Sequence, residues 1–200
     1  MNVVGGRLPV AQARAGYSPE TIDTVELGLK SAFHGGRVLT NIAVFNSDYK
    51  DVQIPGSVAI DTNGDGKDDS FAGVTTNAGK AKIKGFELEA NARITDQFTL
   101  SGMYSYIDAK YTRFIVAGVD QSANPVFQNT PRNSANLRAA YDIPMYTGRL
   151  TLSANGSYKG DTNQFEPKSL LDQEAYTLWD ASVLWTSANG KIRAGLHGKN

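Results

Sequence analysis

Along most of this chain apolar and polar side chains trade places at every step, in segments of roughly ten residues separated by turn-forming clusters. From Gly85 to Ile94, Phe86, Leu88, Ala90, Ala92 and Ile94 share one parity, and Glu87, Glu89, Asn91 and Arg93 share the other. In a strand parity is a face, so one side of this ribbon is oily and the other charged. After Thr95-Asp96-Gln97 the alternation resumes, with Phe98, Leu100, Gly102, Tyr104 and Tyr106 opposite Thr99, Ser101, Met103 and Ser105. A second hairpin repeats it. Ala135, Leu137, Ala139, Tyr141 and Ile143 oppose Asn136, Arg138 and Asp142, and then Leu150, Leu152, Ala154, Gly156 and Tyr158 oppose Thr151, Ser153, Asn155, Ser157 and Lys159. Trp179, Ala181, Val183 and Trp185, then Ile192, Ala194 and Leu196, continue the oily face toward the end of the chain. Near the start Val25, Leu27, Leu29 and Phe33 form a face, whereas Val38 to Tyr49 carries apolar residues on both parities and alternation alone does not orient it.

The connections alternate too. Short ones fall at His34 to Arg37, Thr95 to Gln97, Pro144 to Gly148 and Ser187 to Gly190, and long ones run from Lys50 to Lys84, Thr112 to Asn133 and Gly160 to Ala175. All the long loops therefore leave one end of the sheet. The pattern predicts about eight strands in four antiparallel hairpins. It fits the wall of an up-and-down transmembrane β-barrel, with long loops outside and short turns in the periplasm. Outward aromatics gather at two levels, Tyr104, Tyr106, Tyr158 and Trp179 toward the long loops and Phe33, Phe98, Tyr141 and Trp185 toward the short turns, as the two headgroup regions of a bilayer favour. Two other readings share the alternation: a self-contained barrel of about eight strands acting as a pore or anchor, and a soluble β-sandwich serving as an adhesin or carbohydrate-binding module. Sandwich strands usually run about 5–6 residues, shorter than these.

Composition narrows the function classes. The chain has 200 residues with 20 basic and 20 acidic side chains, which leaves no polybasic surface for nucleic acid. It has no cysteine, and so neither a disulfide framework nor a thiolate metal site. No window approaches the ~18 consecutive apolar residues of a membrane-spanning helix, a test that barrels escape because their strands need only about 9–11. Met1 to Arg7 lack the basic start and apolar core of a secretory signal, so an outer-membrane protein is expected to begin upstream of this Met.

Several stretches carry a family likeness. Ser18 to Lys30 (Ser-Pro-Glu-Thr-Ile-Asp-Thr-Val-Glu-Leu-Gly-Leu-Lys) is followed by Val38 to Val52 with its Phe45, Asp48, Tyr49, Lys50 and Asp51, then by Gly85-Phe86-Glu87-Leu88-Glu89. Asn129-Thr130-Pro131-Arg132-Asn133-Ser134-Ala135-Asn136-Leu137, Tyr176 to Trp185 and Gly195 to Asn200 come next, in order. Together they resemble the barrel of TonB-dependent outer-membrane receptors over residues 18–200, with 1–17 an irregular N-terminal segment. The resemblance implies part of a barrel of about 22 strands, located in the outer membrane of a Gram-negative-type cell and embedded in its lipid. It implies uptake of a scarce nutrient, siderophore-iron, cobalamin or saccharide, bound at the extracellular loops. It also implies partnership with TonB and its inner-membrane energising complex through a plug domain. The family's plug has no counterpart in these residues, and the chain stops at Gly198-Lys199-Asn200 where the family continues into a last strand ending in an aromatic. An internal, C-terminal portion of such a barrel is therefore expected.

Candidate chemistry is sparse. Asp61-Thr62-Asn63-Gly64-Asp65-Gly66-Lys67-Asp68-Asp69 places oxygen side chains at positions 1, 3, 5 and 9, a glycine at 6 and a backbone carbonyl at 7, as a calcium loop does. Position 12 is Ala72, not the bidentate glutamate of an EF-hand. A looser calcium site on Asp61, Asn63, Asp65, Lys67 and Asp69, completed by Asp68 or water, and a solvated acidic turn that needs no metal both fit. No other cofactor is indicated. Glu87 and Glu89 stand about 7 Å apart on one face, a spacing that invites comparison with glycosidase carboxylates. A lumen whose charges are offset by Arg93 and Arg138 accounts for them more simply. His34 and His197 have no nucleophile or carboxylate constellation, so no catalytic residue and no enzyme is expected. The loops offer Tyr111, Arg113, Phe114, Asn124, Phe127, Gln128, Gln164 and Phe165 as polar and aromatic groups suited to holding a ligand.

Overall fold

In the computed structural model, which describes residues 16–116, 119–123, 126–165 and 169–200, the regular structure is all strand. The strands are β1 (Thr21–Phe33), β2 (Val38–Ile60), β3 (Ser70–Arg93), β4 (Phe98–Val116), the two-residue β5 (Val119–Asp120), β6 (Asn133–Met145), β7 (Gly148–Lys159), β8 (Tyr176–Ser187) and β9 (Arg193–Lys199). Eight of them form one antiparallel sheet in the order β1-β2-β3-β4-β6-β7-β8-β9, and β5 folds back on the end of β4. Each strand lies beside its neighbour in sequence, the up-and-down order expected. Among the described residues β1 and β9 do not pair with each other, so the sheet is an arc of wall and not a closed cylinder. That removes the self-contained small barrel. The expected irregular segment 1–17 lies, up to residue 15, outside the described residues.

Register assigns the faces. Glu89 pairs with Asn41 and Met103, and Met103 with Asn136, whereas Ala90 pairs with Gly102, Gly102 with Leu137, Leu137 with Gly156 and Gly156 with Trp179. The first row belongs to the polar face and the second to the oily one. Pairing also orients β2, where alternation was mute: Ile42 and Val44 stand beside Leu88 and Phe86 on the oily face, and Asn41 stands with Glu89. The polar face is stitched laterally by side chains, Asn91 to Ser101 at 2.7 Å, Asn136 to Ser157 at 2.8 Å and Ser153 to Ser182 at 2.7 Å. Those bonds satisfy groups that water or a lumen-filling domain would otherwise reach.

Among the described residues nothing packs on the oily face. Val25, Leu27, Trp179 and Leu196 are 78%, 74%, 62% and 79% exposed, and the buried apolar side chains among the described residues are only Val52, Ile54, Ala81 and Phe114. A water-soluble sandwich would press these side chains against a second sheet. This one leaves them for acyl chains, which overturns the soluble binding-module alternative. Aromatics meet at both ends of the face: Phe86 lies 5.5 Å from Tyr104 and 5.9 Å from Tyr106, and Phe98 lies 6.5 Å from Tyr141. On the other face Gly85 permits the Phe45 ring to lie flat across β3, since a Cβ there would sit 2.8 Å from that ring and 2.1 Å from the Tyr106 carbonyl oxygen.

The short turns fall where expected. His34, Gly35 and Gly36 take φ of 48°, 65° and 86° between β1 and β2, and Thr95 Oγ1 accepts from the amides of Gln97 and Phe98 at 3.2 and 2.9 Å between β3 and β4. The long connections differ from expectation. β2 runs on to Ile60 and β3 starts at Ser70, so the supposed loop from Lys50 to Lys84 is mainly a prolonged hairpin with a tip at 61–69. β4 likewise continues to Val116. The strands of 23, 24 and 19 residues exceed the ten-residue segments expected, because above the lipid both faces meet water and the one-sided pattern that marks a strand disappears.

Candidate functional site

Above the oily band the inward face gains a small hydrophobic nub of its own. A bulge between Tyr49 and Val52, with Asp51 at φ 54°, shifts the register of β2 and turns Val52 onto Gly79. Val52, Ile54 and Phe114 pack there at 5–8% exposure, with Tyr49 and Tyr111 beside them. Gly79 is the floor: a Cβ would come 2.9 Å from Val52 and 3.1 Å from Ile54. Tyr111 meets Phe114 edge-on at 4.8 Å and carries Phe127 stacked on its other side at 4.4 Å and 14°. Three residues expected to hold ligand, Tyr111, Phe114 and Phe127, are thus brought together as one aromatic shelf.

Two loops are clasped over that shelf. The Asn129 amide donates to the Asn163 carbonyl at 2.9 Å, Gly160 to Asn133 at 2.8 Å, and Thr162 and Gln173 exchange two backbone bonds of 2.9 Å. Asp172 fixes the second loop by accepting from the amides of Gln164 at 3.1 Å and Ser169 at 3.0 Å. Thr162 is 2% exposed under this clasp. Between loops and wall lies a cavity of about 800 Å³, lined by Tyr111 and Phe127, by Asp161, Asp172 and Glu174, and by Arg132 at its rim. Its size suits a bulky small molecule held by a flat ring face and a polar rim. Asp161, Asp172 and Glu174 escape sequence reading, because a carboxylate in an irregular loop has no period.

The remaining nominees part company with the cavity. Gln128 joins the clasp through a backbone bridge to Asn163, the Gln164 amide is held by Asp172, Arg113 and Phe165 are exposed, and Asn124 lies outside the described residues. Glu87 and Glu89 sit far down the polar face, where Glu89 accepts from Asn41 at 3.4 Å. Glu20, beside the nub and above the oily band, accepts from the Gln53 amide at 3.0 Å. Its carboxyl is held below its ordinary range by the Tyr49 hydroxyl first and the Gln53 amide second. Tyr49 is pushed up to about 12, mainly by burial and then by Glu20.

At the hairpin tip every nominated oxygen side chain is engaged locally. Asp61 accepts from the amides of Gly64 at 2.6 Å and Gly66 at 2.7 Å, Asn63 from Asp65 at 2.9 Å, and Asp65 from Lys67 at 2.8 Å. Asp69 accepts from the Thr62 amide and hydroxyl, each at 2.8 Å, and these hold its carboxyl below the usual range. Gly64 and Gly66, at φ 82° and 86°, let the chain curl around Asp61. Among the described residues no three His, Cys, Asp or Glu side chains converge as a metal cluster. The turn closes on its own hydrogen bonds.

A one-sheet wall with a bare oily face, aromatic rows at both ends and clasped loops on one side defines an outer-membrane up-and-down barrel. Comparison makes the class specific: the family described as TonB dependent receptor-like, beta-barrel matches residues 5–200. The chain belongs to that family, and its place is the Gram-negative outer membrane. It is 29% identical over 147 residues to the probable TonB-dependent siderophore receptor PiuA of Acinetobacter baumannii, covering 70% of this chain and 18% of that protein. It is 30% identical over 129 residues to the ferrichrome outer membrane transporter/phage receptor of Escherichia coli, covering 63% of this chain and 16% of that protein. Among solved structures the ferric yersiniabactin uptake receptor FyuA of Yersinia pestis superposes with a TM-score of 0.67 at 21% identity, over 90% of this chain and 24% of that one. That last likeness speaks to the fold. The chain spans less than a fifth of the length of these two curated relatives.

Proposed function

We propose that this chain supplies wall and outer loops to a receptor that takes up a scarce, bulky nutrient, a siderophore-iron complex ahead of cobalamin or a saccharide. The observation that carries the reading is the cavity between clasped loops and the Tyr111–Phe127 shelf, on a wall of this family. An aromatic face offers a planar chelator a stacking partner, and the clasp spares the loops part of the ordering cost of binding. Siderophores or metal chelates figure in the names of the relatives, which places that ligand class first. Import would then follow the family's logic, in which TonB, energised by the inner-membrane proton gradient, pulls a plug domain to open the lumen. The polar face lined by Glu87, Glu89 and Arg138 is read as the passage wall, with no catalytic duty.

The test is uptake by the full-length protein carrying this segment, expressed in a strain stripped of its own ferric-siderophore receptors. Radio-iron on a panel of chelators, with labelled cobalamin and oligosaccharides alongside, should enter saturably for at least one ligand. Entry should stop when TonB is deleted or the proton gradient collapsed. Flux that is unsaturable and survives loss of TonB would overturn the reading in favour of a passive pore.

A further inference from the structure

The charges that line the ligand cavity do not balance within it. Its two cations, Lys110 of β4 and Arg132 just before β6, already share Asp108, at 3.1 and 3.8 Å. Of its three carboxylates, Asp172 is taken by the amides of Gln164 and Ser169. Asp161 and Glu174 are not: neither side chain has a hydrogen bond or an ion pair among the described residues. The clasp itself brings them together. Thr162 and Gln173 pair antiparallel, so the residue before the one comes opposite the residue after the other, and those two are Asp161 and Glu174. Like charges set opposite each other across such a pair destabilise it. The stability of the clasp therefore gives no reason for two acids here.

Beside Asp161 the cavity holds a third unmet group. Thr162 is 2% exposed, and its hydroxyl makes no hydrogen bond among the described residues, although its backbone is paired on both sides. No fully buried side-chain oxygen of the described residues goes without a partner, so this hydroxyl is what keeps Thr162 in touch with the cavity it lines.

We infer that the cavity takes a chelate with a free primary amine, whose ammonium is held by Asp161, Glu174 and the Thr162 hydroxyl while its flat part lies on the Tyr111–Phe127 shelf. An ammonium has three donors and no acceptor, which matches two carboxylates and one hydroxyl oxygen. Its bonds to the carboxylates are charge-assisted, and its positive charge removes the repulsion between them. A bare metal ion is the poorer occupant. Calcium takes about 6–8 oxygens, and among the described residues no three acidic or histidine side chains converge. The inference rests on the receptor reading and narrows it, from bulky nutrient chelates in general to those that present an amine and away from those that are anionic throughout.

The test is equilibrium binding to the full-length protein in detergent, with matched pairs of radio-iron chelates. Each pair is a catecholate, hydroxamate or carboxylate chelator made once with a free terminal amine and once with that amine acetylated. In at least one pair the amine form should bind about tenfold tighter, the scale of one charge-assisted hydrogen bond. Asp161→Asn and Glu174→Gln should each remove most of that preference and leave the affinity of the acetylated form unchanged, which also reports an intact loop. Thr162→Val should lower the preference less, and Thr162→Ser should keep it. Asp65→Asn, at another carboxylate on the outer side, should leave it whole. Equal binding of both members of every pair that binds would overturn the inference and leave the receptor reading standing. So would a preference that survives both carboxylate substitutions, or one that Asp65→Asn lowers as much. If no chelate binds in either form, the chelate reading falls and this inference with it.

Discussion

The same three strands obey two different rules along their length. Within the bilayer β2, β3 and β4 show one oily and one polar face, and the oily face is left bare; beyond it the outward face carries Lys82, Lys84 and Asp108 and the inward face buries Val52, Ile54 and Phe114. Solvent makes the difference. In lipid the unpaired surface must be apolar and every backbone group must be bonded laterally. In water the surface must be polar and an apolar contact has to be made inside. A hairpin that crosses from one medium to the other turns its pattern over at the boundary, and Lys84 above Phe86 on one parity marks where.

The largest test of the contrast is a charge in the wall. Ala154, lipid-facing on β7 and midway between the two aromatic levels, pairs with Ala139 and Ala181. Ala154→Arg should cost the full-length barrel up to about 4 kcal/mol in denaturant-dependent folding into vesicles, as arginine does near the midplane. A loss below about 0.5 kcal/mol, the ordinary range for a surface site in water, would mean the face does not meet lipid.

Truncating the nub should come next. Phe114→Ala should cost about 3 kcal/mol, the low end for buried aromatics because the half-exposed neighbours Tyr49 and Tyr111 can close in. The loss should be local. Hydrogen exchange should quicken in the upper parts of β2 and β3 and leave the wall amides of β7 unchanged; uniform quickening would show that nub and wall are one cooperative unit.

This division also explains what the sequence could say. Faces, turns and the eight-strand order were readable because Phe86 to Ile94 alternates without a fault and its partners do so with few exceptions, Met103 among them. Val38 to Tyr49 was not, since Phe45 on the polar parity is there to cover Gly85, a contact written in another strand. The prolonged β2–β3 hairpin reads as loop in the sequence because its apolar residues Val52 and Ile54 follow a bulge that breaks the period. Of the site, the ring residues Tyr111, Phe114 and Phe127 stood out by type. The carboxylates Asp161, Asp172 and Glu174 did not, since only the clasp brings their loop over the shelf.

Smaller effects separate loop from shelf. Asp172→Ala strips the acceptor from the amides of Gln164 and Ser169 and should cost about 1–2 kcal/mol of local stability. Protease nicking between residues 160 and 175 should rise while the Tyr111–Phe127 stack survives, as followed by tyrosine fluorescence in the intact protein. If nicking stays constant, the clasp is held by backbone bonds alone.

The smallest expected effect is a titration, and it locates the boundary of the nub. Tyr49 is raised by burial and by Glu20, so the folded state prefers the neutral phenol. Its contribution is complete below the unfolded value near 10 and fades as pH climbs toward about 12. Glu20 works in the opposite sense. Its folded carboxyl is depressed, so its contribution is present above the ordinary carboxylate range and fades in acid as pH drops through the lowered value. Ultraviolet difference titration of the full-length protein should therefore show one tyrosine ionising late, a step that Tyr49→Phe removes. In Glu20→Gln the step should move down only partway, because burial is the larger cause and remains. A step that returns fully to the ordinary range in Glu20→Gln would mean that Tyr49 is wetted and that the apolar nub ends at Val52.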